Sequence, residues 1–347
     1  MLSFIITIYK PKYGLGITLI ALVLSSVNFL PHWLNWNFTG YDQKDDWSDI
    51  TNLYSGLNQL EPGRIMWEPN SDLNKYGTPM VLMTIPMFTN HESVEGLYFD
   101  SSITTPFHFV TVSGVAESPS NPVGGLSYIN GDFDRGVRYM KELGVDYFIS
   151  YTDSITDKAI MSDELENLFQ SSPFTVFKIY SDKVQVVDAE VVNFNQPELV
   201  ERISNSIFKQ EKTDSFFNLA MKEFKLDNKK RIIEGIDTEE SQIQNRIPGK
   251  KSEINNVRIS NNEITFETDH PNELHIVKVS YFPNWKIENG SGPYRLSPSF
   301  MGVIPYSNEV SITFENTSLE KSLNIISLII FLLTAYLLVF RIKKYAE

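Results

Sequence analysis

Cysteine is absent from all 347 residues. That excludes disulfides and thiolate metal sites, so no covalent cross-link holds this fold. Histidine is scarce: His32, His91, His108, His270 and His275 are the five, and no two stand at the H-x-x-x-H spacing of a helical metal pair. Each reads as a surface or hydrogen-bonded side chain. No G-x-S-x-G, G-x-x-x-x-G-K-[ST] or G-x-G-x-x-G stretch occurs, which removes the nucleophile elbow and the two phosphate-cradling loops. Positive charge is also short, with 30 Lys and Arg against 43 Asp and Glu and a net charge of −13. An acidic surface repels phosphate backbones, so no nucleic-acid partner is expected. The sequence therefore points to no cofactor, no metal and no catalytic residue.

Two stretches lack charge altogether. Residues 322–340, SLNIISLIIFLLTAYLLVF, carry none, with Lys321 at one end and Arg341, Lys343 and Lys344 at the other. As a helix they would measure roughly 28 Å, matching a hydrocarbon core of about 30 Å. A helix apolar on every side finds no cover inside a soluble domain. Residues 13–41 hold no Asp, Glu, Lys or Arg, and Trp33 and Trp36 close the apolar part as an interfacial belt would. Residues 13–33 are read as a first span, in preference to a cleaved leader, since no A-x-A-like site follows. Lys10 and Lys12 precede that span. The Lys/Arg excess then places both termini in the cytoplasm and the bulk of the chain outside the plasma membrane.

What lies between is ordinary globular sequence, with 23 Phe, 16 Tyr and 5 Trp to build cores. Trp47, Ile50, Leu53 and Leu57 have helical spacing, with Asp46 or Ser48 as cap. Residues 63–67 and 80–86 read as strands, and 91–106 as irregular. Residues 132–143 read as a helix stopped by Gly144, then 145–151 as a strand, 156–170 as a helix, and 174–180 with 184–187 as a hairpin. Two further helices are expected at 197–208 and 214–224. These make an extracytoplasmic α/β domain at 42–226. A charged linker follows at 227–252. Residues 253–316 alternate in period two, Ile264 and Phe266 against Glu263, Thr265 and Glu267, and read as a small β-sandwich. The expected fold class is thus membrane-anchored α+β: a cytoplasmic or interfacial end at 1–12, a span at 13–33, the two extracytoplasmic modules, a span at 322–340 and a cytoplasmic tail at 341–347.

Two clusters are candidate binding residues. Arg64, Trp67 and Glu68 stand in G-R-I-M-W-E-P, and Glu95, Tyr98 and Ser101 in V-E-G-L-Y-F-D-S-S. Arginine holds carboxylate or phosphate with two parallel hydrogen bonds, aromatic rings stack on sugar faces, and carboxylates accept from hydroxyls. The alternative is an internal Arg–Glu pair among core aromatics. In the β module, Tyr281 and Trp285 flank Pro283, and Arg295 follows Tyr294; exposed they would suit a carbohydrate, buried they are core. Asp45 and Asp46 stand just outside the first span, either as a membrane-surface carboxylate site or as a solvated helix start.

GRIMWE at 63–68, VEGLYFDSSITTPFHF at 94–109, SPSNPVGGLSY at 118–128, DRGVRYMKELGVDYFISY at 134–151, SYFPNWKI at 280–287 and GPYRLSPSFMGVIP at 292–305 carry a family likeness. Through them the chain, from about residue 46 to 340, resembles large actinobacterial membrane proteins described as "membrane protein, 6-pyruvoyl-tetrahydropterin synthase-related domain". The resemblance implies kinship with polytopic GT-C-type glycosyltransferases and envelope-glycan proteins, which place many spans ahead of the soluble part and catalytic acids in an early external loop. With two spans, this chain is expected to match the carboxy-terminal portion of such a protein, split or shortened. Asp45 and Asp46 do not match the early-loop acids, so no catalytic residue carries over. Nor does the three-histidine zinc site of the pterin enzyme.

Three functions fit. The first is an extracytoplasmic accessory or binding part of a membrane assembly handling envelope glycans or lipid-linked sugars. The second is a glycosyltransferase with a polyprenyl-phosphate sugar donor. The third is a structural subunit without a ligand. The expected partners are the lipid bilayer, a polytopic membrane protein, and a glycan or lipid-linked sugar.

Overall fold

The computed structural model describes residues 16, 19, 20, 23, 29–44, 46–95, 104–187, 189–191, 231–234 and 253–346. The chain divides into two compact units, Met1–Phe99 with His108–Ser181 and Asp100–Phe107 with Asp182–Glu347. The expected helices at 197–208 and 214–224 lie outside the described residues, as do Asp45, Tyr98 and Ser101.

The first unit is built on a five-stranded sheet in the order β2-β1-β3-β5-β4. Its strands are β1 (Arg64–Trp67), β2 (Glu92–Ser93), β3 (Tyr147–Ser150), β4 (Leu165–Ser171) and β5 (Phe174–Ile179). β1 runs parallel to β2 and β3, whereas β5 is antiparallel to both β3 and β4. After α1 (Phe29–Phe38) comes α2 (Trp47–Leu57), whose helical spacing buries Ile50, Leu53, Tyr54 and Leu57. These join Ile65, Trp67, Ile149 and Val176 in one core. Asp46 occupies the cap position of α2 in a left-handed conformation, but its carboxylate makes no cap hydrogen bond and faces Lys75 instead, at 3.6 Å.

α3 (Thr105–Val115) and α4 (Phe133–Glu142) follow. They touch where neither carries a side chain: a Cβ on Gly114 would come within 3.1 Å of Gly136 Cα and 2.8 Å of the Asp132 carbonyl. α4 starts on the Asp132 carboxylate, which accepts from Arg135 N–H. It stops as the sequence predicts. Gly144 adopts φ +68°, its N–H donates to the Lys141 carbonyl, and Val145 N–H donates to the Met140 carbonyl. That pair of bonds is the Schellman stop, and it delivers the chain directly into β3.

Three expectations for this unit are corrected. Residues 80–86 are not a strand; Val81–Thr84 and Ile85–Phe88 are short helical turns. The helix expected at 156–170 is α5 (Asp153–Met161), and its second half is strand β4, where pairing along the edge of β5 overrides the local preference. β5 pairs with β3 and β4, not with 184–187. Residues 107–115 are buried on every side, His108, Thr111 and Ser113 included, so α3 leaves no exposed face to mark a helical period.

The second unit is a β-sandwich with a long helix attached. One sheet has the order β12-β15-β10-β9 and the other β6-β11-β14-β13-β8-β7. In chain order these are β6 (Val184–Val186), β7 (Ala189–Val191), β8 (Arg231–Glu234), β9 (Ile254–Ile259), β10 (Glu263–Thr268), β11 (His275–Ser280), β12 (Trp285–Ile287), β13 (Gly290–Leu296), β14 (Phe300–Pro305) and β15 (Glu309–Phe314). The inward set is the one the alternation marks: Ile264, Phe266, Val310 and Ile312 meet Val184, Val277, Met301 and Val303. The sandwich begins earlier than residue 253, since β6 pairs with β11 and β8 with β13. Within the expected linker, Arg231–Glu234 is therefore a sheet strand.

α6 (Ser318–Ala346) completes the second unit and measures roughly 43 Å. Among the described residues, one segment is long and apolar enough to cross a membrane, Ser318–Leu337 within α6, and none of it is buried by the protein. The described residues form a mixed α+β fold with this one apolar helix of spanning length. The other expected span, 13–33, lies largely outside the described residues, and α1 continues past its expected end to Phe38.

The glycine stop of α4 yields a test. Gly144→Ala places a Cβ in a left-handed backbone and is expected to lower unfolding free energy by about 1 kcal/mol. Urea denaturation of the detergent-solubilised chain measures it; an unchanged midpoint would mean Gly144 does not hold that conformation.

Candidate functional site

The structure separates the sequence candidates. Arg64 opens β1 and is largely covered. Its Nη1 donates to the Leu143 carbonyl at the end of α4 (2.8 Å), and its Nη2 faces Glu92 at 3.3 Å. A cation there complements the exposed carbonyls of the helix end. Trp67 is 2% exposed and lies in the core. Glu95 lies 3.3 Å from His108 Nε2, with both side chains largely buried. The carboxylate partner of Arg64 is Glu92 rather than Glu68.

Glu68 is the most constrained of the set. It follows β1 directly and is fully buried. One carboxylate oxygen accepts from Tyr151 N–H and Thr152 N–H, both at 2.9 Å. The other accepts from the Thr152 hydroxyl at 2.7 Å and from Glu117 N–H at 3.3 Å. Thr152 in turn caps α5 by accepting from Ile155 N–H. Glu68 thus stands at the carboxyl ends of the two parallel strands β1 and β3 and at a helix start. In open α/β sheets that place binds anionic ligands; here the protein's own carboxylate fills it. Burial leaves Trp67 and Glu68 no surface for a sugar.

In the β-sandwich, Trp285 is buried and meets the Phe314 ring edge-on at 5.2 Å. Tyr281 packs on the sandwich core, and its N–H donates to the Ser299 carbonyl. Arg295, half-buried on β13, donates through Nε to the Ser299 hydroxyl at 3.1 Å. These three serve packing and the β13–β14 turn.

Two of the histidines are tied internally, as their isolation in the sequence suggests. His91 is buried; Nε2–H donates to the Leu57 carbonyl and Nδ1 accepts from Gly63 N–H. His275 is fully buried at the start of β11. Its Nδ1–H donates to the Glu273 carbonyl, so Nε2 is the lone-pair nitrogen and accepts from the Thr268 hydroxyl, each at 2.8 Å. Burial pushes its pKa down to about 4, against a smaller upward pull from the Glu273 carbonyl.

An open concavity lies elsewhere, on the outer face of the sheet β12-β15-β10-β9. It encloses about 800 Å³. Asn256 and Arg258 of β9, Thr265 and Glu267 of β10, and Glu309 and Ser311 of β15 line it, with Glu288 and Asn289 just beyond β12. The lining follows from strand alternation, because the residues between those buried in the core must point outward. Register brings Thr265 between Arg258 and Ser311, and sets Glu267 directly opposite Glu309. Like charges facing each other across a ladder are destabilising. Among the described residues, neither carboxylate has an ion-pair partner, nor does the Arg258 guanidinium. The groove therefore offers free acceptors, a free planar donor and several amides. The sequence signal was the polar half of the alternation at 263–267 and 309–313, which marked the strands but not the groove that their outward residues line.

No family model, no curated protein and no solved structure matches the chain.

Two predictions follow from the buried groups. Glu68→Gln turns an amide NH₂ toward N–H donors and is expected to cost about 3 kcal/mol of stability, from one or two unsatisfied buried donors. A loss under about 0.5 kcal/mol in chemical denaturation would contradict the four-bond geometry. For His275, the unfolded chain takes up a proton near pH 6.5 whereas the folded chain does so only near 4. Stability from this site is complete above pH 6.5 and is lost as pH falls to 4, by up to about 3 kcal/mol. Denaturation midpoints across that window should fall with pH, and less steeply in His275→Gln; parallel curves would refute the assignment.

Proposed function

We propose that this chain is a membrane-anchored accessory or binding part of an assembly that handles cell-envelope glycans or lipid-linked sugars, with its folded units outside the cytoplasm. The observation that carries the proposal is the groove on the sandwich. Its volume falls within the ~300–1,000 Å³ of ligand clefts. Phe266, Ile287 and Val310 lie among polar lining residues, whose carboxylates, amides and one guanidinium are the groups that pair with sugar hydroxyls. The same unit carries the apolar segment Ser318–Leu337, which supports a place at a membrane. Basic residues at both ends of the chain, Lys10 and Lys12 and then Arg341, Lys343 and Lys344, support cytoplasmic termini. The resemblance to envelope-glycan membrane proteins points the same way.

Glycan binding is measured with the full chain in nanodiscs against envelope oligosaccharides and polyprenyl-phosphate sugars. Saturable binding is expected. It should weaken about tenfold in Arg258→Ala and in Glu267→Gln, since each removes one charged hydrogen bond worth about 1.5–3 kcal/mol. Arg64→Ala should leave the affinity unchanged, because Arg64 serves the end of α4. Absence of saturable binding, with co-purification of a polytopic protein, would replace this reading with that of a structural subunit.

A further inference from the structure

The sandwich end from which α6 departs presents aromatic rings to the outside. Phe282 and Phe314 are 51% and 36% exposed, and their rings stack at 5.9 Å. Trp285 is buried behind them, edge-on to Phe314. Pro283 is exposed in the same loop. Exposed rings of this kind need a partner surface, and the chain itself indicates which. Only Glu315, Asn316 and Thr317 separate Phe314 from the start of α6 at Ser318, a reach of at most about 13 Å.

The first turn of α6 is fastened to this same end. Thr317 and Glu320 form a reciprocal capping box: Glu320 accepts from the Thr317 N–H at 2.6 Å, and Thr317 Oγ1 accepts from the Glu320 N–H at 3.2 Å. Asn284, buried in the loop that carries Phe282, donates to the same Glu320 carboxylate at 2.7 Å, and its carbonyl accepts from Glu315 N–H. The helix is therefore not hinged freely below the sandwich. Lys286 and Lys321 flank the rings, joined through Glu315 at 3.1 and 3.8 Å, and with Glu315 and Glu320 they balance to no net charge. Aromatic rings beside lysines, at the mouth of an apolar helix, are the composition of a headgroup layer contact.

We propose that this face, Phe282 and Phe314 with Lys286 and Lys321, seats in the headgroup layer of the bilayer and holds the sandwich upright on it. The proposal rests on the reading of α6 as a membrane span. It also accounts for the placing of the groove. Glu309 and Asn308 lie at the other end of β15 from Phe314, about 17 Å away along the strand. With the rings in the bilayer, the groove opens on the side away from the lipid.

The chain has no cysteine, so single cysteines report without background. A polarity-sensitive fluorophore is attached at Phe282→Cys, at Ile329→Cys within α6, and at Asn308→Cys at the far end. The full chain is reconstituted in phosphatidylcholine–phosphatidylglycerol vesicles. Expected is quenching at 329 by lipids nitroxide-labelled in mid-chain, quenching at 282 by lipids labelled near the headgroup with several-fold protection from iodide, and quenching at 308 by iodide alone. A label at Pro283→Cys gives the same result if Phe282→Cys loosens the ring cluster. If 282 and 283 behave like 308 while 329 is lipid-quenched, the seat is wrong and the span stands. If 329 is open to iodide, both fall. If 282 is shielded only with a co-purified protein and never by lipid, that protein is the occupant and the proposal fails.

Discussion

The constraint on which the structure depends is that α6 has nothing of its own to hide behind. Ile325, Phe331 and Leu337 are 61%, 69% and 62% exposed. From 322 to 340 no charged side chain is present to compensate. Apolar area of that extent in water costs roughly 25 cal/mol per Å², a penalty that the few interactions at the base of the sandwich cannot offset. The helix is stable where lipid supplies the cover, and its backbone, with every hydrogen bond made internally, suits that solvent. The capping box and the Asn284 bond then transmit the helix position to the sandwich.

The charged residues divide between two kinds of work. In the first unit, Glu68 and Arg64 are used up by the backbone: one collects N–H groups at the ends of β1 and β3, the other terminates α4. In the sandwich, Glu267, Glu309 and Arg258 stand in an open groove without ion-pair partners among the described residues. A buried carboxylate with four donors specifies a fold, whereas opposed carboxylates left open cost stability and are retained where they meet something else. That difference is why the sandwich, and not the aromatic cluster around Trp67, carries the functional reading.

Much of the fold was legible in the sequence, and the limits have physical causes. α2, α4 with its Gly144 stop, and β10 and β15 could be read because half of each element faces water and leaves a period. Where an element is covered on both sides the period vanishes. α3 is buried from Phe107 to Val115, polar residues included, and β11 buries His275 through Lys278 on both faces. β6 and β8 could not be assigned to the sandwich, because pairing partners about 90 and 60 residues away leave no local trace. Among the candidate residues, residue type was a poor guide to exposure: Trp67, Glu68 and Trp285 have the chemistry of a sugar site and the burial of a core. The groove residues had the right chemistry too, but a surface concavity is not written in alternation.

The central claim of the proposed function is that α6 crosses the bilayer and both folded units stand outside the cytoplasm. Protease added to sealed, right-side-out cells expressing the chain with tags at both termini tests it most directly. The account predicts that the segment between the two apolar stretches is digested while both terminal tags survive until the membrane is opened. Tags removed from intact cells, with that segment preserved, would contradict it.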